Sequence, residues 1–301
     1  MKVSILIVSW NTRRLLLDCL QSIDASPPRL DYEIWIVDNA SGDGSAQAVR
    51  ERFPGAQVID SSTNLGFAGG NNLAAQHAQG QYLLLLNPDT VVHPQAIDRL
   101  VAFLEATPEA GAVGPRLLNP DSSPQISTYR TPGLFLEAWR LSDLDRLFPL
   151  SYYAGSHPKP FMVEVLGGAC ILVRSEIFQS LGGFDANFFV YSEEVDLCLR
   201  IRQAGWRLYH LPGAKVVHYA GQSTRQARDP MFLELYRNKV RFFQKHYGSR
   251  QAAAYKSLLW MAAYTRILPG MLAGKLNSGS ARRLAEIGRQ YRLLLDHLAE
   301  F

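Results

Sequence analysis

The chain contains few cysteines, and none of them lies in a pattern that binds metal. Cys19, Cys170 and Cys198 are far apart in the sequence, and none belongs to a C-x-x-C spacing. An odd number of isolated cysteines argues against a disulfide framework and against a zinc site built from thiolates. We therefore expect three reduced thiols in a cytoplasmic protein.

Long hydrophobic runs and the common nucleotide-binding glycine loops are also missing. No apolar stretch reaches the roughly 18 residues of a membrane-spanning helix, and residues 11–14 interrupt the apolar N-terminus before a signal peptide could form. The segment 9–12 is not the G-x-G-x-x-G of a dinucleotide fold, and the glycine-rich segment 64–72 has no Gly-Lys-Ser/Thr. Dinucleotide-dependent oxidoreductases and P-loop enzymes are therefore disfavoured.

A basic segment with many aromatic residues lies near the C-terminus. Residues 232–275 hold eight Lys or Arg and one acid, so this segment carries +7 while the whole chain of 301 residues carries +4. Such helices can lie on an anionic membrane, or they can pack on the rest of the protein with their charges in water. No nucleic-acid-binding module accompanies the charge, so we expect no nucleic-acid partner.

Short apolar runs alternate with stretches of helical periodicity through the first half of the chain. Strands are expected at 3–9, 33–38, 57–60, 81–87 and 111–116, and helices at 12–23, 45–52, 67–78 and 94–105. This alternation predicts an α/β fold with a mostly parallel central sheet flanked by helices. In the second half we expect a strand at 163–173, a helix from Ser192 to near Gly205, two final strands at 206–210 and 215–218, and helices from residue 230 onward.

Two of the predicted strands lead into a carboxylate. The run Tyr82–Leu86 is followed by Asn87-Pro88-Asp89, and the strand at 33–37 is followed by Asp38. Because burying an unpaired charge costs several kcal/mol, Asp89 requires a cation or another ligand. His218 ends the last predicted strand, and its imidazole would suit Mn²⁺ beside Asp89. The alternative for a lone histidine is a hydrogen-bonded structural residue.

The densest acidic cluster of the chain is Glu193-Glu194-Val195-Asp196. Carboxylates that are crowded together raise one another's pKa values, as a general base requires. The alternative is structural, because acids at the start of a helix interact favourably with its dipole. Residues two apart do not share a helix face, so at most some of these acids point into one cleft.

Six short motifs follow one another in a characteristic order. They are V-S-W-N (8–11), V-D-N-A-S-G-D-G-S (37–45), N-L-G-F-A-G-G-N (64–71), L-N-P-D (86–89), G-G-F-D (182–185) and E-E-V-D-L-C-L-R (193–200). In this order, and with His218 after them, they resemble glycosyltransferase family 2, and most closely its bacterial rhamnosyltransferase-like branch. The resemblance extends over residues 1–250.

The resemblance implies a GT-A (nucleotide-diphospho-sugar transferase) fold over residues 1–228, with a nucleotide-binding half at 1–118 and an acceptor-binding half at 119–228. Residues 229–301 would form a C-terminal helical extension. The implied reaction is an inverting transfer from a nucleotide-diphosphate sugar, with dTDP-rhamnose favoured over a UDP-sugar, onto a saccharide or polyprenyl-linked acceptor in surface polysaccharide synthesis. Such an enzyme works in the cytoplasm or peripherally on the inner face of the cell membrane.

The resemblance also assigns roles to individual residues. The nucleotide and donor would be bound by Trp10, Asn11, Asp38, Gly66, Phe67, Asn71 and Asn87, with Arg130 and Arg225 as candidates for supporting the diphosphate charge. Asp89, helped by His218, would hold a divalent cation, Mg²⁺ or Mn²⁺. Glu194 would be the general base that takes the proton of the acceptor hydroxyl, with Glu193 and Asp196 as alternatives.

Two positions depart from the family's pattern. The family's Asp-x-Asp is Asn87-Pro88-Asp89 here, so one charge is missing, and its Glu-Asp pair is Glu193-Glu194. The missing acid supports an alternative from another class of protein, which is a catalytically silent nucleotide-sugar or carbohydrate-binding module with the same fold.

Overall fold

A sheet of nine described strands forms the centre of the larger of two compact units. The computed structural model describes residues 2–153, 157–221, 227–273 and 278–301. The sheet unit comprises residues 1–131, 152–189 and 193–226, and the helical unit comprises residues 132–151, 190–192 and 227–301.

The strands all belong to the sheet unit. They are β1 (Lys2–Ser9), β2 (Asp31–Asn39), β3 (Gln57–Ser61), β4 (Tyr82–Leu86), β5 (Thr90–Val92), β6 (Ala110–Leu118), β7 (Thr128–Tyr129), β8 (Phe161–Val163), β9 (Val165–Leu166), β10 (Cys170–Arg174) and β11 (Arg207–His218). Its helices are α1 (Arg13–Asp24), α2 (Ser45–Arg52), α3 (Gly66–His77), α4 (Ala96–Ala106), α6 (Ser175–Ser180) and α7 (Glu193–Gln203), whereas α5 (Leu134–Leu141), α8 (Arg228–Tyr247), α9 (Ser249–Ala273) and α10 (Gly279–His297) belong to the helical unit.

The large sheet has the order β3-β2-β1-β4-β10-β6-β11-β5, and β8 also pairs with β11. The strands β1 to β4 are parallel, as are β6 and β11, whereas β10 runs antiparallel to β4 and β6. Parallel ladders contain most of the paired residues, which confirms the predicted α/β fold with a mostly parallel central sheet.

β4 shows why the sheet has helices on both faces. All five of its residues are buried. Leu84 packs in one hydrophobic cluster with Leu16 of α1 and Leu100 of α4, whereas Leu83 lies in another cluster with Ala74 of α3. Successive side chains of a strand point to opposite faces, so a continuous apolar run such as this one requires cover on both. Each fully buried leucine contributes about 1.5–3 kcal/mol.

Three details of the second half differ from the sequence prediction. The strand expected at 163–173 is divided into β8, β9 and β10, with Gly167 and Gly168 between the last two. The two final strands form one strand, β11, whose register with β6 shifts between Leu211 and Lys215. The short strand β5 was not predicted, because three residues are too few for a periodic signal.

The helical unit is built around buried aromatic rings and one buried ion cluster. Tyr255 of α9 stacks on Phe243 of α8 with ring centroids 4.6 Å apart. Both carboxylate oxygens of Glu137 in α5 accept hydrogen bonds from Lys239 at 2.9 Å, and Arg140 donates another at 2.8 Å. These contacts compensate charges that would be costly to bury alone. Segment 132–151, assigned from sequence to the acceptor-binding half, belongs to this unit.

Within the described residues, none of the helices combines the length and the apolar character needed to cross a membrane.

Candidate active site

The carboxyl ends of β1, β2 and β4 bring three of the motifs to one edge of the sheet. In the parallel register Ser9 pairs with Asp38, and Ile7 pairs with Leu86. Trp10 and Asn11 directly follow β1, and Asn87 directly follows β4. Ligands of open α/β sheets bind beyond this edge, so the fold makes it the candidate site.

Asn11 and Asp38 are held by the turn that follows β2. The backbone N–H of Asn11 donates to Ser41 Oγ at 2.9 Å, and its side-chain oxygen accepts from the Gly42 N–H at 2.8 Å. Asp38 is only 7% exposed, and its Oδ2 accepts from the Ser41 N–H at 3.3 Å. Within the described residues its Oδ1 is buried without a hydrogen-bond partner. An unsatisfied buried acceptor costs about 1–3 kcal/mol, so Asp38 is prepared to accept from a ligand.

Gly66 lies where two backbone segments meet. Its φ is +71°, and a β-carbon there would lie 2.2 Å from the carbonyl oxygen of Phe189. That same oxygen accepts from the Phe67 N–H at 2.8 Å, and the Phe67 ring packs against Phe184 with centroids 5.6 Å apart. Gly66 and Phe67 therefore have clear packing functions beside the ligand role expected from sequence.

Two asparagines hold the glycine-rich helix start in position. Asn39, at the end of β2, donates to Asn64 Oδ1 at 2.8 Å and to the Gly66 carbonyl oxygen at 3.0 Å. Asn71 is 1% exposed and donates to the Phe67 carbonyl oxygen at 2.9 Å, while its own Oδ1 is buried without a partner among the described residues. Sequence analysis missed Asn39, although it lies inside a motif that was recognised.

Asp89 and His218 meet because β5 pairs with the end of β11. His218 is the register partner of Thr90, and the Tyr219 N–H donates to the Asp89 carbonyl oxygen at 2.9 Å. His218 Nε2 consequently lies 3.4 Å from Asp89 Oδ1 and 3.5 Å from Asn87 Nδ2. Both Asp89 and His218 have largely buried side chains. The structure thus brings together the two residues that were expected to share a cation.

Gln125, which sequence analysis missed, fixes the orientation of His218. Gln125 Nε2 donates to the His218 carbonyl oxygen at 3.1 Å and to Asn119 Oδ1 at 3.0 Å. With both amide hydrogens used in this way, its Oε1 faces His218 Nδ1 at 2.8 Å and accepts the Nδ1 proton. In the neutral imidazole Nε2 is then the nitrogen without a proton, and it is directed at Asp89 and Asn87. Such outer partners determine which ring nitrogen can bind a metal.

These side chains fit a divalent cation that a ligand helps to hold. Two ligands of an octahedral ion at about 2.1 Å lie about 3 Å apart, close to the separation of Asp89 Oδ1 and His218 Nε2. Asn87 Oδ1 is buried and has no hydrogen-bond partner within the described residues. Turning the Asn87 amide by 180° would exchange this oxygen with Nδ2, the atom that lies 3.5 Å from His218 Nε2. No group of three or more His, Cys, Asp or Glu is arranged for a metal in the described ranges. A bound molecule or water would supply further ligands of such an ion.

The acidic cluster begins α7 after a strained turn. Tyr191 and Ser192 both have left-handed backbone, with φ of 69° and 71°, which costs of order 1–3 kcal/mol for each non-glycine residue and often marks functional sites. Glu193 is 5% exposed. Burial raises its pKa well above the ordinary value, and the neighbouring Glu194 carboxylate raises it further.

Glu194 covers the loop that adjoins Asn87. An ideal β-carbon on Gly168 would lie 3.5 Å from Cβ and Cγ of Glu194. The next residue, Ala169, accepts a hydrogen bond at its carbonyl oxygen from the Asn87 N–H at 2.9 Å. Glu194 and Asn87 thus contact consecutive residues of one loop. Asp196, by contrast, is fully buried and accepts from Arg200 Nε at 2.7 Å, so it has a structural role in holding that arginine.

A cavity of about 580 Å³ opens beside this edge of the sheet, lined by residues that include Asn11, Arg13, Arg14 and Tyr219. It connects the end of β1 with the residue after His218, and its lining includes two cations that sequence analysis did not select as well as the carboxylates of Asp18 and Asp43. Arg130 is exposed, with its guanidinium 5.2 Å from the ring centre of Tyr153. Arg225, the other arginine expected to support the diphosphate, lies outside the described residues.

Comparison with known proteins shows which family the chain matches. The model of glycosyl transferase family 2 matches residues 4–182. An N-acetylglucosaminyl-diphospho-decaprenol L-rhamnosyltransferase of Mycobacterium tuberculosis is 32% identical over 214 residues, which cover 65% of this chain and 69% of the relative. Rhamnosyltransferase WbbL of Escherichia coli K12 is 27% identical over 235 residues, which cover 74% and 85%.

A solved structure extends the likeness to the whole fold. The mannosyltransferase PcManGT of Pyrobaculum calidifontis, in complex with GDP-Man and Mn²⁺, aligns with a TM-score of 0.60 over 99% of this chain and 86% of that chain. The sequence identity is 18%, so the similarity concerns the fold alone.

Proposed function

Because the chain belongs to glycosyl transferase family 2 and is a glycosyltransferase of GT-A fold, we propose that it catalyses an inverting transfer of L-rhamnose from dTDP-rhamnose. The acceptor in this proposal is a saccharide carried by a polyprenyl diphosphate, and the product is a precursor of a surface polysaccharide. The two rhamnosyltransferase relatives support the sugar, and the diphospho-decaprenol named for one of them supports the lipid-linked acceptor. Such an acceptor locates the reaction at the inner face of the cell membrane.

The donor nucleotide binds at the ends of β1 and β2 in this proposal. Asp38 Oδ1, buried without a partner among the described residues, accepts from the base or the ribose. Trp10 and Asn11 line the same edge. Arg13 and Arg14 in the neighbouring cavity can attract the diphosphate charge. A UDP-sugar is the alternative donor.

Asp89, His218 and Asn87 would hold a divalent cation, Mg²⁺ or Mn²⁺. Bound there with the donor, it would neutralise charge on the departing diphosphate. The three residues contribute only one formal negative charge, because Asn87 is neutral. Histidine and amide ligands suit Mn²⁺ better than they suit Mg²⁺.

Glu194 is the general base in this proposal, and the observation that carries the assignment is the contrast with Glu193. Two adjacent carboxyl groups cannot easily both be ionised when they are buried. Glu193 is the more buried of the two, and its pKa is raised well above the ordinary value by burial and then by Glu194. Glu193 therefore holds a proton more readily than an ordinary carboxyl group does, and in this proposal the less buried Glu194 accepts the proton of the attacking hydroxyl.

The test is rhamnosyl transfer from dTDP-rhamnose to a polyprenyl-diphosphate-linked N-acetylglucosamine, measured with the dissociation constant of dTDP. Glu194→Gln should lower kcat by about 10²–10⁴-fold, the usual contribution of a general base, and leave dTDP binding unchanged. Glu176→Gln, an exposed acid on α6, is the matched control and should keep full activity.

Other outcomes would contradict specific parts of the proposal. A loss of kcat in Glu193→Gln but not in Glu194→Gln would identify Glu193 as the general base. Turnover with a UDP-sugar and none with dTDP-rhamnose would identify the UDP-sugar as the donor. Binding without turnover over a wide panel of donors and acceptors would overturn the catalytic proposal.

A further inference from the structure

Exposed apolar side chains are concentrated on one side of α9. Six of them are each between 51% and 64% exposed, and together they form what we call the α9 apolar face: Trp260, Met261, Tyr264, Leu268, Met271 and Leu272. At 3.6 residues per turn these six lie within an arc of about 120°. The opposite side of α9 is also apolar, but it is buried through residues such as Tyr255 and Leu259.

This arrangement is unusual for the surface helix of a soluble domain. Such a helix normally has one apolar face toward the core and one polar face toward water. From Trp260 to Leu272, over about 18 Å of helix, the outward face of α9 has no charged residue at all. An exposed apolar patch with a polar rim marks a surface that binds a partner.

The charges of the chain segment that contains the α9 apolar face indicate the kind of partner. Between Glu234 and Glu286 the chain has ten Lys or Arg and no carboxylate. Several of these cations, including Arg282 and Arg283, are exposed. Arg292 Nη2 lies 3.3 Å from Met271 Sδ, so a guanidinium is located at the margin of the face. A partner that is apolar inside and carries negative charge at its rim would complement this surface.

Not every cation of this region is available. Arg266 donates to the Leu141 carbonyl oxygen and lies over the Tyr291 ring, with 5.0 Å to its centre. Lys239 is held by Glu137 inside the unit. Asp229 of α8 and Glu286 of α10 are both bound by Arg289. The exposed rim therefore keeps an excess of positive charge.

We propose that the α9 apolar face lies in the headgroup region of an anionic phospholipid bilayer. Leu268, Met271 and Leu272 would enter the acyl boundary, and the paired rings of Trp260 and Tyr264, with centroids 4.3 Å apart, would lie at the level of the headgroups. The exposed Arg283 and Arg292 would contact lipid phosphates. A second copy of the chain fits less well, because a symmetric pair would bring two carboxylate-free segments of like charge together.

Vesicle flotation of the full chain tests this proposal. The probes are vesicles of phosphatidylcholine alone and vesicles with about one third phosphatidylglycerol, at low and high salt. We expect binding to the anionic vesicles, a blue shift of tryptophan fluorescence that is reduced in Trp260→Ser, and weaker binding at high salt. Each cation near an anionic surface strengthens partition by about fivefold, so R283Q/R292Q should bind about 25-fold more weakly to the anionic vesicles. L268Q/M271Q/L272Q should bind at least tenfold more weakly to both kinds of vesicle.

The controls are equally exposed residues of the sheet unit, Met162→Gln and Lys159→Glu, which should bind as the unchanged chain does. Unchanged binding in the α9 variants, or no binding to anionic vesicles, would overturn the proposal. A dimer in solution that L268Q/M271Q/L272Q dissociates would instead assign the face to a second copy. Flotation does not depend on turnover, so this experiment can support or overturn the membrane proposal whether or not the chain transfers rhamnose.

Discussion

Substitution of Gln125 should weaken metal binding without removing any metal ligand. Gln125→Met keeps the length of the side chain but cannot accept the Nδ1 proton of His218, a contact of 2.8 Å in the structure. The imidazole then loses the interaction that keeps the proton on Nδ1 and keeps Nε2 directed at Asp89. The variant also loses two hydrogen bonds that hold the backbone carbonyl of His218 and the side chain of Asn119.

The expected size follows from the behaviour of outer partners in metal sites. Removal of such a partner typically costs 10–100-fold in metal affinity, which corresponds to about 1.4–2.7 kcal/mol. We therefore expect the Mn²⁺ dissociation constant, measured in the presence of dTDP by the EPR signal of free Mn²⁺, to rise by that factor. Gln125→Glu retains an acceptor for Nδ1–H and should therefore bind Mn²⁺ more tightly than Gln125→Met does.

A double-mutant cycle decides whether the effect passes through His218. In a His218→Ala background, Gln125→Met should cause almost no further loss of Mn²⁺ affinity, because the ring that it orients is gone. If the additional loss stays near 10-fold in that background, Gln125 acts through another contact. An unchanged Mn²⁺ dissociation constant in Gln125→Met itself would refute the reasoning about the tautomer.

Two further predictions concern folding. The raised pKa of Glu193 means that the folded protein binds a proton that the unfolded chain releases near its ordinary pKa of 4.5, so the free energy of unfolding should fall as the pH rises above that value. Glu193→Gln should remove this loss and raise the melting temperature more at pH 8 than at pH 5. Gly66→Ala should lower the free energy of unfolding by about 2–5 kcal/mol, because it combines a left-handed backbone with overlap of the Phe189 carbonyl.

Each of these has a simple check by thermal or denaturant unfolding. Glu176→Gln, exposed on α6, should give the same change in melting temperature at both pH values. If Glu193→Gln also changed the melting temperature equally at pH 5 and pH 8, the burial argument would be contradicted. Gly55→Ala has no atom within 4 Å of the new β-carbon, so it should unfold almost as the unchanged chain does. If Gly66→Ala also left the free energy of unfolding almost unchanged, the backbone at Phe189 would have to move aside at little cost.

Much of the first half of the fold could be predicted because its signals are local. β4 is a continuous apolar run followed by a turn, and the periodicity of α1 or α4 needs no distant partner to be recognised. The strand ends that carry Asp38 and Asn87 could be located for the same reason. β5 could not be found, since its three residues become a strand only by pairing with β11.

The candidate site shows the same division. The ends of two predicted strands, together with the motif order, selected Asp89 and His218, which are 129 residues apart, but their contact depends on the β5–β11 ladder. Gln125 carried no sequence signal, since a single amide in a loop resembles any other polar surface residue. Glu194 was assigned as the base from the resemblance, and the structure adds that Glu193 is the more deeply buried of the two.

By itself the sequence determined the alternation of strands and helices, the carboxylates at strand ends and the excess of positive charge near the C-terminus, all of which depend on residues close together in the chain. Only the tertiary structure decided which side chains meet. It directed Nε2 of His218 toward Asp89, buried Glu193 beside Glu194, and turned the six residues of the α9 apolar face outward while their neighbours Tyr255 and Leu259 were buried. Burial, desolvation and hydrogen-bond direction arise from contacts between distant segments, and no local pattern encodes them.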